Sequence, residues 1–140
     1  MAVTRFEVKG SVGDHFAWLR TRLALERTAL AWVRTAISLI GFGFTIVQFF
    51  QRLQSMPGVA PAANPHAPRY LGLALIGSGI LALVLSILQY RGVQSYMWRE
   101  DYKSIAGIEG GPDRTAMLPV AIVLLLVGVF AFCAVLFRMV

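Results

Sequence analysis

Residues Ala17 to Ile37 can be written as three stacked heptads: Ala17-Trp-Leu-Arg-Thr-Arg-Leu23, Ala24-Leu-Glu-Arg-Thr-Ala-Leu30 and Ala31-Trp-Val-Arg-Thr-Ala-Ile37. Arginine returns at Arg20, Arg27 and Arg34, each time followed by threonine, at Thr21, Thr28 and Thr35. Seven residues close about two turns of α-helix, so a repeat of this length makes sense only as a helix. On a helical wheel, Leu19, Leu23, Leu30, Val33, Ile37 and Ile40 follow the three-four spacing of a packed seam, interrupted by Glu26. A second seam is small: Ala17, Thr21, Ala24, Thr28, Ala31, Thr35 and Ser38. Small residues let another helix come close in a membrane. The arginines lie between these seams. Trp18, Leu25 and Trp32 fall on nearly the opposite side, where side chains turned to lipid headgroups are expected. The arginine face is then expected to point into protein or water.

Composition turns this helix into a membrane problem. The chain has 140 residues, one domain's worth. It is 57% hydrophobic with a mean hydropathy of +0.67, which decides for a membrane protein over a soluble one. The net charge of +6 would point to nucleic acid in a soluble chain. Here it fits basic segments facing anionic lipid, and no nucleic-acid partner is expected. The single cysteine, Cys133, excludes a disulfide framework within one chain and reads as a buried small residue. Met1 to Gly13 carries Arg5 and Lys9 but no apolar core, so no cleavable signal peptide is expected.

In chain order, residues 1–13 read as a loose cytoplasmic tail and residues 14–140 as one three-span membrane domain. Asp14 is the expected N-cap of a first helix running to about Gln51. Its purely apolar part, Ala36 to Phe50, is only about 22 Å long. A bilayer core needs about 30 Å, so the span borrows from Ala29 to Thr35 and draws Arg34 to the membrane edge or within it. The spans are expected at about 29–51, 70–90 and 115–137. Gly41-Phe42-Gly43 permits close packing, and Ala74, Ser78, Ala82 and Ser86 suggest a contact face on the second span. Pro57, Pro61, Pro65 and Pro68 mark a non-helical connection. Residues 91–114 are polar; their first half continues the second helix, and Gly107, Gly110, Gly111 and Pro112 break it. Pro119 sits in the first turn of the third span, where proline is tolerated. The first end and the 91–114 segment hold most of the Lys and Arg. The N-terminus is therefore expected inside, and the proline loop and C-terminus outside.

The run from Asp14 through Glu26-Arg27-Thr28, Leu30-Ala31-Trp32 and Arg34-Thr35, followed by Gly41-Phe-Gly, resembles the signature of the YidH-like family (domain-of-unknown-function family 202). The three-span layout extends the resemblance to most of the chain. That family is similar to the small membrane subunit of the vacuolar transporter chaperone complex, whose three-span subunits surround a polyphosphate pore lined by basic residues of the first helix. The resemblance implies a cyclic homo-oligomer, a pentamer by analogy, a bacterial inner-membrane location, and a pore-lining role for Arg20, Arg27 and Arg34. It does not imply polyphosphate synthesis, since no polymerase or phosphate-sensing domain is present in this sequence.

Arginine within a span costs about 2.5–3.5 kcal/mol at the centre on insertion scales, and so suggests function. The competing reading is snorkelling, with Arg20 and Arg27 in cytoplasm and only Arg34 reaching back to lipid phosphates. Glu26 is expected to pair with Arg22 one turn earlier or with an arginine of a neighbouring subunit. Thr28 and Thr35 belong to the helix-contact seam. His15 and His66 have no ligand spacing, and His15 reads as a surface residue. No catalytic residue, metal site or cofactor is expected, because no nucleophile motif, carboxylate pair or phosphate loop occurs. The expectation is an all-α membrane protein that is not an enzyme. Either it passes an anion such as phosphate, or it binds anionic lipid or a partner without conduction.

Overall fold

The computed structural model describes residues 10–58, 64–108 and 116–137. The greater part of the expected tail, Pro61, Gly110-Gly111-Pro112, Thr115 and Arg138 lie outside these residues. Among those described the chain is all-helical: α1 (Val12–Gln54), α2 (Ala67–Met97), α3 (Glu100–Ala106) and α4 (Met117–Leu136). Three of these, α1, α2 and α4, are long and apolar enough to cross a membrane. The protein is therefore a multi-pass membrane protein.

Helix α1 starts one turn earlier than its expected cap. Ser11, not Asp14, is the N-cap: the Asp14 amide donates to Ser11 Oγ, and the Ser11 amide and hydroxyl donate to Asp14 Oδ2 at 2.9 and 2.7 Å. This reciprocal box is encoded by Ser-x-x-Asp, a spacing visible in the sequence. The two hydrogen bonds from Ser11 hold the Asp14 carboxyl below its usual pKa. Helix α2 continues past its apolar run to Met97, then turns at Trp98 and Arg99 into α3. Gly107 ends α3 in the left-handed region, at φ 63°.

Helices α1 and α2 run antiparallel and meet through glycines. A Cβ on Gly43 would lie 2.7 Å from the Gly72 carbonyl oxygen, and one on Gly79 would lie 2.8 Å from that of Ala36. No larger residue allows such backbone approach. Helix α4 seats Gly128 against Ile40 and Ile80, and brings Met117 and Ala121 to the core of Ala29, Val33, Ala36, Leu83 and Tyr90.

Three expected faces are corrected here. On α1 the buried residues are Ala29, Val33, Ala36, Gly43 and Val47, while Leu23, Leu30 and Ile37 of the supposed packed seam are exposed. On α2 the contact face is Gly72, Ile76, Gly79, Ala82, Leu83, Ser86 and Tyr90; Ala82 and Ser86 of the expected face lie on it, while Ala74 and Ser78 point outward. On both helices glycines and alanines mark the closest approaches, while large aliphatics such as Leu30, Ile37, Leu81 and Leu85 stay outside. Lipid solvates leucine as well as protein does, so closeness of approach decides the seam. The third correction concerns tryptophan. Trp18 meets Trp98 edge to face at 5.5 Å, and Leu25 packs against the core, so this register faces α2 and not headgroups. Only Trp32, 44% exposed, remains largely open. His15, although exposed, is tied down: its Nδ1 lies 2.8 Å from the Ala106 carbonyl oxygen and holds α3 against the start of α1.

Candidate basic lane on the first helix

The inward face of α1 fixes the direction of everything opposite it. At about 100° per residue, Arg20, Arg27 and Arg34 lie within about 40° of one line, diametrically across from Ala29, Val33, Ala36 and Val47. All three arginines are exposed. Arg20 Nε donates to the Phe16 carbonyl at 3.3 Å, a bond within its own helix. No ion pair or hydrogen bond engages the Arg27 or Arg34 side chain among the described residues. The stripe therefore faces away from the rest of the described chain.

Two different flanks border the stripe, roughly 60–80° to either side. One carries the ridge Leu23, Leu30 and Ile37, all exposed. The other carries the small seam, exposed from Ala17 to Ser38. Its hydroxyls are turned back on the helix. Thr21 donates to Ala17 O at 2.9 Å, Thr28 to Ala24 O at 3.0 Å, Thr35 to Ala31 O at 3.1 Å, and Ser38 to Arg34 O at 3.1 Å. With each proton donated internally, the threonines offer mainly methyl groups to a neighbour.

Glu26 and Arg22 lie apart from this stripe. Arg22 Nε is 3.7 Å from Glu26 Oε1, and the Arg22 guanidinium sits 5.8 Å over the Trp18 ring. The pair belongs to the partly buried side near α2 and α3. There Lys103 lies 5.6 Å over Trp98 and Arg99 lies 5.6 Å over Tyr96. These contacts make an aromatic and cationic cluster at the end of the bundle where α1 begins.

One residue of the stripe lies beyond the first helix that the sequence predicts. Arg52, also exposed, stands eighteen residues after Arg34, five whole turns, and so on the same line of α1. The spacing was there to be read, but the proline-rich surroundings of Arg52 suggested a loop, and α1 in fact extends to Gln54. Concavities offer less. Two cavities, about 40 Å³ beside His66 and Arg69 and about 30 Å³ beside Ser86 and Tyr90, have room for a water or two and not for a substrate. Among the described residues no group of three His, Cys, Asp or Glu gathers to hold a metal ion.

A family model described as a domain of unknown function, DUF202, matches residues 17–96, more than half of the chain. The chain belongs to the DUF202 family. The DUF202 match begins at the first residue of the heptad repeat and ends at Tyr96, one residue before the end of α2. It therefore takes in all three arginines, both flanks and the whole α1–α2 seam, and leaves out α3 and α4. No curated protein and no solved structure matches the chain.

Proposed function

We propose that this protein is a conduit for phosphate-type anions, assembled as a ring of identical subunits whose first helices surround the path. One observation carries the reading: a membrane helix exposes a stripe of arginines on the side facing away from its own bundle. Lipid is a poor environment for that face. Copies of the same helix around an axis gather the stripes into hydrated rings, and rings of arginine are a standard device for selecting anions or phosphate. The guanidinium groups are spaced by seven residues, about 10 Å along the helix, so an anion passes from one ring to the next in steps. Each ring holds phosphate oxygens through paired hydrogen bonds. The flanks suit this assembly, because the leucine ridge of one copy can enter the small seam of the next.

The ring has five subunits by analogy with the vacuolar transporter chaperone subunit. The start of α1 lies in the cytoplasm of a bacterium and the C-terminus beyond the inner membrane, on the strength of the positive charge at the first end. Reporter fusions after Ala63 and Val140 are expected to read outside, and one after Gly110 inside.

A second reading has its own observation. The cluster of Arg22, Arg99 and Lys103 over Trp18, Tyr96 and Trp98 suits an interface with anionic lipid, which would make the protein a structural or regulatory lipid binder without conduction. Phosphate flux from proteoliposomes separates the two. Arg34→Ala is expected to abolish flux while keeping the oligomer, and Arg20→Ala to reduce it less. Unaltered flux in Arg34→Ala, or none from the wild type, rejects the conduit.

A further inference from the structure

The arginine stripe does not stop where the apolar part of α1 begins. Along the same line the helix next presents Ser38, Gly41, Thr45 and Arg52, every one exposed. Their positions fall within about 40° of the line through Arg34, with Arg52 directly above it about 27 Å further on. That distance is close to the roughly 30 Å thickness of a hydrocarbon core. One face of α1 thus carries guanidinium groups at both ends of its apolar segment and, between them, two hydroxyls and a glycine.

Two details separate this face from the seam beside it. Thr21, Thr28 and Thr35, and on this face Ser38, each donate to the carbonyl four residues back. Thr45, the fourth threonine of α1, makes no hydrogen bond among the described residues. A hydroxyl left unpaired in hydrocarbon costs free energy that a neighbouring carbonyl could have offset, and water or an anion removes that cost. Gly41 is the second detail. A Cβ added there meets nothing within 4 Å, whereas one on Gly43, two residues on, runs into α2. Gly43 is explained by packing within the subunit, and Gly41 is not. Its missing side chain leaves the face open about 10 Å from Arg34 and about 16 Å from Arg52.

We infer that Ser38, Gly41 and Thr45 line a hydrated lane that joins the Arg20–Arg34 stripe to Arg52, so that the path for inorganic phosphate runs through the whole membrane and has a second basic mouth at Arg52. The inference rests on the conduit reading and deepens it: surface binding of headgroups needs basic residues near one end only. In the uncharged middle the anion keeps much of its water, with the Thr45 hydroxyl, whose proton no carbonyl takes, replacing part of the shell. Arg52 then receives it at the far side.

Cysteine accessibility tests the lane without requiring flux. In a Cys133→Ala background reconstituted in liposomes, Ser38→Cys, Gly41→Cys and Thr45→Cys are compared with Leu81→Cys and Val123→Cys, whose parent residues are exposed on the apolar faces of α2 and α4. A charged, membrane-impermeant thiosulfonate reacts with thiolate, which forms only where water reaches the sulfur. The lane cysteines are therefore expected to react about tenfold faster or more than the two controls, and inorganic phosphate to slow them. Equal, slow modification at all five positions overturns the inference. Flux gives the second arm. Gly41→Leu fills the lane without touching α2 and is expected to cut phosphate flux severely with the oligomer intact; Thr45→Val is expected to lower it less. Wild-type flux sensitive to Arg34→Ala but indifferent to Gly41→Leu sinks the lane and leaves the arginine reading standing. Reactive lane cysteines without any flux leave a hydrated face but overturn both the phosphate path and the conduit reading.

Discussion

The two sides of α1 obey different rules. The side turned to α2 and α4 buries Ala29, Val33, Ala36, Gly43 and Val47, residues chosen for how near they let another backbone come. The opposite side exposes Arg20, Arg27 and Arg34 between a ridge of Leu23, Leu30 and Ile37 and a seam of alanines and threonines. In water the leucines would be inside and the alanines out. In a bilayer, size fixes the inner side and charge the outer one. The inner side answers to its own subunit and the outer one, on our proposal, to copies of itself.

The largest effect expected from this contrast is at glycine. Gly43→Leu drives a side chain into the Gly72 carbonyl and is expected to cost about 3 kcal/mol or more, enough to lose a monodisperse species. Gly41→Leu, on the outer side, is expected to leave thermal unfolding in detergent unchanged or raise it by about 0.5–1 kcal/mol through helix propensity. Equal damage at both positions breaks the contrast. Next comes assembly. With Cys133 removed, Leu30→Cys combined with Thr28→Cys is expected to give an oxidative ladder that closes at the ring size, while either cysteine alone gives little. Efficient dimers from Thr28→Cys alone would mean that seam meets seam and no ring forms that way.

A smaller difference is expected between neighbouring aliphatics. Val33→Ala should destabilise the subunit by about 1–2 kcal/mol, and Leu30→Ala hardly at all while loosening the oligomer. Melting curves and native mass spectrometry read the two quantities separately. Smallest is the start of the helix. The Asp14 carboxyl titrates below its unfolded value, so its contribution is full above about pH 3.9 and is lost as pH falls through the lowered folded value. Amide exchange at Ser11 to His15 should quicken in that window. Asp14→Asn should abolish the pH dependence without altering exchange deeper in α1.

The helices themselves were legible. The heptad repeat and the last apolar run locate α1 and α4 to within a few residues, and Gly107 marks the end of α3. The turn at Trp98 and Arg99 that separates α3 from α2 is not legible, since the first half of 91–114 reads as a continuation of the second helix. What the sequence could not rank was direction. Leu23, Leu30 and Ile37 have the spacing of a packed seam, and nothing in their chemistry says that a bilayer accepts them outside. The inward turn of Trp18 depends on Trp98, eighty residues away, which reaches it only because α2 outlasts its apolar run. The arginine stripe was visible as a periodicity; that it lies opposite the buried face needed the partners of Gly43 and Val33. Arg52 keeps the five-turn spacing, but the prolines from Pro57 onward predict an end to α1 before it, and the helix in fact runs to Gln54.

Helix α1 is unbroken for 43 residues, about 65 Å, roughly twice the thickness of a hydrocarbon core. It is therefore a lever as well as a wall. Whatever grips its first turns, as the bond between His15 and Ala106 does, acts at a long arm from the segment around Gly41. A tilt of about 5° between the ends moves one of them by roughly 5 Å relative to the other. That is about half the roughly 10 Å rise between successive arginines of the stripe.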